Sequence, residues 1–407
     1  MSVASSRRSF VTSSAAAMTA ASYGRVLGAN DRIQMGAIGT GGRGQYLMRE
    51  TTKAGGVEWI AVCDVYSVRR DQAATIAGTG VKTYSDHRQL LDHKEIDAVI
   101  VATPDHWHAA ITVDACRAGK DVYVEKPMVH YPKDGQAIVK AVREHKRVLQ
   151  VGTQARAVPH FQEARQKFVE SGALGKVGLV RTWYNGNAGY VLTPPPGMEQ
   201  KPEGLDWDRW LGPGPKVPWN PGIYFSPYKW LHYDGGMIMG IGIHVIDSAH
   251  QFMKLSKPKA AVAGGGVYHF KDGRDTPDVI NLIIEYPQEL NVTFEAEIMT
   301  CGMRTSSAGL ELRGTGGVLT VLHNDKNRGY EYTPHPKNSS VAAGTGSGYP
   351  FSAEWLIKNW LECIRTRQKT VANEEEGYYS SVACFMGNQA FRTRSRVVWD
   401  AKWDLRA

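Results

Sequence analysis

The chain has 407 residues, of which 42% are hydrophobic and 22% charged, a composition typical of a globular protein large enough for two domains. Its formal net charge is +8, and the basic residues are scattered rather than gathered into a run that would follow a nucleic-acid backbone, so no nucleic-acid partner is expected. The five cysteines are dispersed and form no C-x-x-C pair, which argues against a disulfide framework.

The first thirty residues resemble a twin-arginine export signal. Arg7 and Arg8 precede a weakly apolar, alanine-rich run over residues 12–22, which is too short to span a membrane. This pattern predicts export of the folded chain to the periplasm by the twin-arginine machinery, with residues 1–30 as the signal peptide. A disordered tail that happens to contain two arginines is the alternative. No stable membrane span is expected elsewhere in the sequence.

A glycine-rich turn between two predicted strands follows this segment. Ile33–Ile38 and Val57–Cys63 are short apolar runs typical of strands, and the sequence between them has the spacing G-x-G-x-x-G before a helix-like stretch. Because a helix N-terminus offers N–H groups to phosphates, this arrangement predicts a dinucleotide site. The residues of the turn assigned to this cofactor site are Gly39, Gly41, Gly42, Arg43 and Gly44.

The second strand ends on Asp64, twenty residues after Gly44, where a carboxylate can accept hydrogen bonds from the two ribose hydroxyls of an adenosine. A carboxylate repels the 2′-phosphate of NADP, so Asp64 favours NAD. Arg69 and Arg70 lie a few residues further on and can bind that phosphate, which leaves NADP open.

Strand and helix patterns alternate from residue 31 to about residue 152, which predicts a Rossmann-type, doubly wound parallel sheet in an α/β domain over residues 31–153. Ligands of such sheets bind beyond the carboxyl ends of the strands. Two short motifs, residues 103–106 and 125–127, follow predicted strands at that edge. The residues of these motifs that we assign to the cofactor site are Thr103, Pro104, His106, Glu125, Lys126 and Pro127.

After residue 154 the pattern changes to several strand-like runs without helical crossovers. This predicts an α+β domain over residues 154–350 with a largely antiparallel, open-faced sheet. A long ordered loop rich in Pro, Gly and Trp is expected over residues 191–231. Two helices within residues 351–407 are expected to complete the domains. The open face of the second sheet is expected to support a homo-oligomer.

The glycine-rich turn, residues 103–106, residues 125–127 and the later run 235–247 together resemble the Gfo/Idh/MocA family, the relatives of glucose–fructose oxidoreductase and inositol dehydrogenase. The resemblance covers nearly all of residues 31–400, and residues 205–213 are similar to the exported branch of the family. It implies a nicotinamide cofactor, a sugar or polyol substrate on the open face of the second sheet, and oxidoreductase activity on a carbinol.

The resemblance also places Lys126 near the nicotinamide and the reacting hydroxyl. A lysine there can orient the substrate hydroxyl, or act as a base if desolvation lowers its pKa. His244 is the second catalytic candidate, because histidine can take a hydroxyl proton near neutral pH. Asp247 lies one turn further on, where it either orients the imidazole or is an acid on the helix surface. Two such side chains are too few for a zinc site, so no metal is expected.

Substrate contacts are expected from two groups of residues. In the resembled family the segment after the sixth strand contacts substrate, and here that segment contains Gln154 and Arg156. Four aromatic or imidazole side chains of the second domain are candidates to stack on a sugar ring, and the alternative for each is a place in the aromatic core. The residues assigned in this way are Tyr184, Trp230, His232 and Tyr233.

The sequence departs from the family at one position. The family commonly has an aspartate four residues before the histidine, and here that residue is Gly240, so Asp234 or Asp247 would have to replace it. Three functions stay open. They are an exported NAD(P)-dependent oxidoreductase acting on a carbohydrate, a glycoside hydrolase or lyase that works through a transient keto-sugar without net redox change, and a sugar-binding relative without catalytic activity.

Overall fold

The computed structural model describes residues 32–186, 194–299, 308–323, 325, 327–337 and 341–405. The twin-arginine segment and part of the predicted long loop lie outside these residues. None of the helices in the described part is both long and apolar enough to cross a membrane. Cys63, Cys116, Cys363 and Cys384 are buried thiols with no disulfide partner among the described residues, and Cys301 lies outside them.

The first domain is a parallel sheet flanked by helices. Its strands β1 to β6 are Ile33–Ile38, Val57–Cys63, Lys82–Tyr84, Ala98–Val101, Asp121–Val124 and Leu149–Val151. Its helices α1 to α5 are Gly42–Ala54, Ser67–Ala77, His87–Leu91, His108–Arg117 and Pro132–His145. The strand order is β3-β2-β1-β4-β5-β6, with every neighbouring pair parallel. The predicted Rossmann-type domain is therefore confirmed.

The strand order reverses between β1 and β4, which is where open α/β sheets bind their ligands. Strands β4 and β5 are buried along their whole length, as their uninterrupted apolar runs predict. Gly39 follows β1 with a φ of 81°, a conformation that favours glycine. A Cβ at this residue would lie 2.5 Å from the Thr103 amide nitrogen, so the turns after β1 and β4 pack together only because residue 39 is glycine.

The second sheet has nine strands within the described residues. Strands β7 to β15 are Val177–Asn185, Ala260–Gly266, Val279–Tyr286, Leu290–Glu297, Ala308–Gly314, Gly317–Leu322, Tyr330–Pro334, Gly344–Gly346 and Val397–Val398. Their order is β14-β13-β12-β11-β7-β10-β9-β8-β15. Neighbours are antiparallel except for β7 and β10, which run parallel because β10 is the last strand of a three-stranded meander placed beside β7. The largely antiparallel sheet is confirmed, and the parallel pair was not predicted.

One face of this sheet is covered and the other is open. Helices α6 to α11 are Pro159–Ala164, Trp207–Leu211, Pro221–Phe225, Ile243–Met253, Glu354–Thr366 and Glu374–Thr393. Along β9, the side chains of Ile280, Leu282 and Ile284 are buried and alternate with more exposed residues, as expected for a strand with one covered face. A Cβ at Gly387 of α11 would lie 2.7 Å from Leu282, so this helix packs closely on the covered face.

The last two helices connect the domains. The ring of Trp360 on α10 lies 5.6 Å from the ring of Tyr123 on β5. A Cβ at Gly377 of α11 would lie 2.5 Å from the side chain of Val151 on β6. Because α11 also packs on the second sheet, these helices hold the carboxyl ends of the first sheet against the second domain.

Candidate active site

A cavity of about 230 Å³ lies at the carboxyl ends of β1, β2 and β4, beside the point where the strand order reverses. Its wall includes many of the residues that the sequence assigned to a cofactor. The predicted residues that line it are Gly39, Gly41, Gly42, Arg43, Asp64, Arg69, Thr103 and Pro104. The second domain contributes Arg209, Trp210 and Tyr224 to the same cavity. The cavity therefore lies between the Rossmann domain and a segment of the second domain.

That segment, residues 202–230, is called the cover segment here. Its aromatic and aliphatic side chains form a small apolar core of their own. It is fixed to the first domain by hydrogen bonds, including Arg209 Nη1 to the Ser85 carbonyl at 3.0 Å and Trp107 Nε1 to the Trp210 carbonyl at 2.9 Å. The composition of this segment predicts an ordered loop, but it does not indicate a contact with the cavity.

The glycine-rich turn has the shape that a pyrophosphate needs. A Cβ at Gly44 would lie 2.1 Å from the Gly39 carbonyl oxygen, so the start of α1 approaches the end of β1 as closely as the backbone allows. Helix α1 starts after Gly41 without a side-chain cap among the described residues, which leaves its first-turn N–H groups for a ligand. These features fit a dinucleotide bound across the turn.

Replacing Gly44 with alanine is expected to weaken NADH binding by about tenfold or more, equivalent to ~1.4 kcal/mol, because the new methyl group forces α1 away from β1. The same overpacking should lower the free energy of unfolding by about 1–3 kcal/mol. Gly178→Ala is the matched control, since no described atom lies within 4 Å of a Cβ at that exposed residue of β7, which does not line the cavity. Fluorescence titration with NADH measures both variants, and equal affinities would contradict the packing argument.

Asp64 directly follows β2 and is part of the cavity wall. Its Oδ2 accepts from the Thr40 amide at 2.7 Å, and its Oδ1 accepts from the Tyr66 amide at 2.9 Å. Burial raises the pKa of Asp64, while these amides and the charge of Arg69 oppose the rise. A carboxylate has about four lone-pair sites, so acceptor capacity remains for ribose hydroxyls. The Arg69 guanidinium lies 4.7 Å from the centre of the Tyr224 ring, over this end of the cavity.

Glu125 and Lys126 follow β5 and have different partners. Arg43, which lines the cavity, binds the buried Glu125 Oε1 through Nε at 2.8 Å and Nη2 at 2.7 Å. Glu125 therefore anchors the glycine-rich turn instead of lining the cavity. Lys126 Nζ donates to the Gly240 carbonyl at 2.7 Å and so reaches from the first domain to the second. Gly240 belongs to a π-helical turn, Met237–Gly242, a distortion often found at functional sites.

Two carboxyl groups, those of Asp105 and Asp234, lie near Lys126. Asp105 directly follows the cavity-lining Pro104, and its Oδ2 lies 3.5 Å from His130 Nε2. Asp234 lies against Gly240, because a Cβ at residue 240 would be 2.4 Å from Asp234 Oδ1. Burial raises the pKa of Asp105 to about 6 and that of Asp234 to about 7, and the positive charge of Lys126 opposes both shifts.

His244 lies one residue into α9, close to the same lysine. Burial, together with the charges of Lys126, His323 and Arg43, lowers the pKa of His244 well below its ordinary value. Its Nδ1 has no hydrogen-bond partner among the described residues, and its ring meets that of Phe351 edge-on at 5.5 Å. A neutral imidazole with a weakened affinity for protons is suited to hydrogen bonding a hydroxyl more than to removing its proton.

The sequence matches a known family over both domains. Residues 33–153 match the model described as "Oxidoreductase family, NAD-binding Rossmann fold", and residues 215–398 match "Oxidoreductase family, C-terminal alpha/beta domain". The chain belongs to the Gfo/Idh/MocA family. Its first domain is accordingly an NAD-binding Rossmann domain, in agreement with the glycine-rich turn and Asp64.

Two relatives and one solved structure show how far the similarity extends. The "Rhizopine catabolism protein MocA" of Rhizobium meliloti is 30% identical over 149 residues, which are 37% of this chain and 46% of that protein. An "Inositol 2-dehydrogenase" of Salmonella typhimurium is 30% identical over 150 residues, 36% of this chain and 44% of that protein. The matches thus span less than half the length of these curated relatives. A levoglucosan dehydrogenase solved with NADH and levoglucosan has the same fold, with a TM-score of 0.71, 18% identity and coverage of 90% of this chain and 99% of that one.

The structure corrects the expected roles of Asp247 and Arg156 in this Gfo/Idh/MocA protein. Asp247 does not orient His244, because Arg156 binds its carboxylate through Nε at 2.7 Å and Nη2 at 2.9 Å. Both side chains are buried, and Glu376 lies 3.0 Å from the Arg156 Nη1. Arg156 is therefore held in an ion pair between α9 and the turn after β6, and it is not directed toward a substrate.

Besides Glu125 and Lys126, three more residues assigned to the cofactor lie beside the cavity wall instead of lining it. Gly44 packs beneath the turn, as described above. His106 Nε2 lies 3.0 Å from the Trp210 carbonyl, and its ring meets that of Tyr233 at 5.2 Å, so it anchors the cover segment. The Pro127 carbonyl oxygen lies 2.8 Å from His108 Nδ1, which ties the turn after β5 to α4.

The remaining substrate candidates are spread over several environments. Gln154 is buried with its amide beside the Arg43 guanidinium. Tyr233 is buried in the cover segment's core, and its hydroxyl donates to the Pro215 carbonyl at 3.0 Å, so it is core and not an open stacking surface. Trp230 and Tyr184 are half-buried, and His232 is exposed.

The sequence did not single out Asp105 and His130, although each adjoins a recognised motif. Asp105 lies within the run 103–106, and His130 follows residues 125–127 by three positions. Tyr224 of the cover segment carried no recognisable signal. Arg209 lies in the run 205–213 that resembles the exported branch of the family, but that resemblance implied no role at the cofactor. Among the described residues, no group of three histidine, cysteine or carboxylate side chains is arranged to hold a metal ion.

Proposed function

We propose that this protein is an NAD-dependent oxidoreductase that oxidises a carbinol of a sugar or polyol. The observation that carries the proposal is the convergence of Lys126, Asp234 and His244 around Gly240. Lys126 follows Glu125, which binds the cavity-lining Arg43. The names of the relatives support the substrate class, since they include an inositol dehydrogenase and a levoglucosan dehydrogenase. The bound nicotinamide supplies the acceptor for hydride.

Each residue of the site has a role that its environment suits. The Lys126 ammonium, directed at the Gly240 carbonyl, is placed to hold a substrate hydroxyl in the same position and to stabilise negative charge on its oxygen. Neutral His244 offers a hydrogen bond to that hydroxyl or to a neighbouring one. Arg43 and Glu125 fix the turn on which Lys126 lies.

A second candidate function is supported by the cover segment. Because residues 202–230 close one side of the cavity and are hydrogen bonded to the first domain, exchange of a bound nucleotide should be slow. A cofactor that stays bound suits an enzyme that oxidises a glycoside transiently, eliminates or hydrolyses its aglycone, and then reduces the keto-sugar again. Such an enzyme releases the aglycone without any added oxidant, whereas a simple dehydrogenase forms NADH.

The protein is also proposed to be exported and to form homo-oligomers. Arg7 and Arg8 support twin-arginine export, and the open face of the second sheet, with Arg181 among its charged residues, supports self-association. Cell fractionation should find a shortened chain in the periplasm, and Arg7→Lys with Arg8→Lys should keep it in the cytoplasm.

Sedimentation of the mature chain tests the proposed homo-oligomer, and a monomer at micromolar concentration would contradict it.

The cofactor assignment is tested by purifying the mature chain without added nucleotide, unfolding it and identifying the released molecules by mass. Stoichiometric NAD(H) is expected. A protein that carries no nucleotide and binds neither NAD nor NADP would overturn the oxidoreductase proposal. An empty protein that binds NAD reversibly would support a simple dehydrogenase and count against the closed redox cycle.

A further inference from the structure

We propose that Asp234 is the catalytic base that accepts the proton of the substrate hydroxyl, an inference that rests on the proposed function. Asp234 and Lys126 approach the same residue from opposite domains. Lys126 Nζ donates to the Gly240 carbonyl at 2.7 Å, and a Cβ at residue 240 would lie 2.4 Å from Asp234 Oδ1. A cation and a carboxylate therefore meet around a residue without a side chain.

Gly240 and Asp234 depend on each other. Any side chain at residue 240 would occupy the space of the Asp234 carboxylate, so glycine is required for this carboxylate to reach the site. The carboxylate that the sequence lacks at residue 240 is thus provided by a residue six positions earlier in the chain. Residue 234 precedes Gly235 and Gly236, whose φ values of 80° and 68° turn the chain into the π-helical turn.

One carboxylate oxygen of Asp234 is available to accept a hydrogen bond. Its Oδ1 is buried and has no hydrogen-bond partner among the described residues, while the Gly236 amide contacts the carboxylate. A buried carboxylate oxygen without a donor is unfavourable, and a substrate hydroxyl would provide the donor. Two other carboxylates near the site are already bound by arginines. Glu125 is held by Arg43, and Asp247 is held by Arg156.

The charged and titratable groups that face Asp234 are Asp105, Lys126 and His130. Burial and the charge of Asp105 raise the pKa of Asp234, whereas burial lowers the pKa of His130 to about 4 and that of His244 well below its ordinary value. A base acts best when its pKa lies near the working pH. The carboxyl pair meets this condition, and the two imidazoles do not.

In the proposed step the O–H bond of the carbinol breaks and its proton moves to Asp234. The electron pair of that bond becomes the second C–O bond, and the C–H bond breaks with its pair leaving as hydride to NAD⁺. The products are a carbonyl compound, NADH and protonated Asp234. Lys126 stabilises the oxygen during the change, and the proton later passes to water.

The first test compares Asp234→Asn with Asp275→Asn, a control at an exposed aspartate on a neighbouring loop. Asp234→Asn should lower kcat by about 10²-fold or more, while the Kd for NADH stays within about threefold of wild type, a change smaller than ~1 kcal/mol. In wild type, kcat should fall as Asp234 is protonated at acidic pH, and the variant should lack this decrease. Asp234→Ser is the second variant if Asp234→Asn does not fold. Turnover of Asp234→Asn within threefold of wild type would overturn the proposal.

The second test needs no substrate. With its pKa raised from 3.8, folded Asp234 keeps a proton that the unfolded chain has already released, so its contribution to stability is lost as pH rises toward neutrality. The melting temperature of nucleotide-free Asp234→Asn, relative to wild type, should therefore rise by several degrees between pH 5 and pH 8. A difference in melting temperature that stays constant with pH would mean that Asp234 does not titrate in this range, and it would overturn the inference.

The two proposals can fail separately. Wild-type protein that oxidises no carbohydrate would contradict the proposed function, while this second test would still decide whether Asp234 titrates.

Discussion

Replacing Lys126 with alanine is expected to lower kcat by about 10²–10⁴-fold, the usual contribution of a group that assists proton transfer. The side chain crosses from the first domain to Gly240, and its charge acts on Asp105, Asp234 and His244. Removing it takes away the cation that holds the substrate oxygen. It also raises the pKa of both carboxyl groups further, since Lys126 now opposes that rise.

The fold should tolerate this change. Lys126 is half-buried and makes one hydrogen bond to a carbonyl, so its loss should change the free energy of unfolding by only about 1 kcal/mol. Lys133→Ala, at an exposed lysine on α5, is the control and should keep full activity. Steady-state kinetics and thermal melting compare the two variants. Turnover of Lys126→Ala close to that of wild type would remove this residue from the mechanism.

Asp247→Ala is expected to lower the free energy of unfolding by about 3–5 kcal/mol, because it leaves the Arg156 guanidinium buried without its main partner. Glu376 remains 3.0 Å from Arg156, which favours the lower end of that range. Chemical denaturation of the nucleotide-free protein measures the loss. The folded fraction should still bind NADH, since neither residue lines the cavity.

A double variant separates structure from chemistry at this ion pair. Replacing both partners with apolar residues, Arg156→Met with Asp247→Leu, removes the unpaired charge and should recover much of the lost stability. Because the pair is structural, activity should recover with stability. A double variant that is stable but inactive would instead return Asp247 or Arg156 to the catalytic or substrate site.

The first domain could be predicted closely because its signals are local. Strands Ile33–Ile38 and Val57–Cys63 have the bounds that their apolar runs indicated, since a parallel sheet covered on both faces requires such runs. The glycine-rich turn was recognisable because its backbone geometry restricts which residues fit. The predicted cofactor residues of this turn, except Gly44, accordingly line one cavity.

The second domain was harder to predict because its signals depend on distant contacts. Strands Tyr330–Pro334, Gly344–Gly346 and Val397–Val398 lie at or near the sheet edges, are short and have weak patterns, so sequence analysis did not identify them. The run Met237–Gly242 before His244 forms a π-helical turn, and this form depends on packing that no local sequence pattern indicates. No local pattern could indicate that β7 and β10 would be parallel neighbours.

The same limit explains the errors at the site. Asp247 is near His244 in sequence, which made it a natural partner for the imidazole, but Arg156, 91 residues away, takes its carboxylate. The charge of Asp105 raises the pKa of Asp234, although more than a hundred residues separate the two in the sequence. Burial raises both pKa values against the opposing charge of Lys126, and the sequence alone does not specify this burial.

The most direct test of the account is a single-turnover experiment with the purified mature protein. The protein, saturated with NAD⁺, is mixed with a panel of sugars and polyols that includes inositol and levoglucosan, and reduced nicotinamide is followed by absorbance. At least one carbohydrate should produce NADH in an amount equal to the active sites, and Lys126→Ala should produce none on the same timescale. A protein that binds NAD⁺ but forms no NADH with any member of the panel would contradict the central claim.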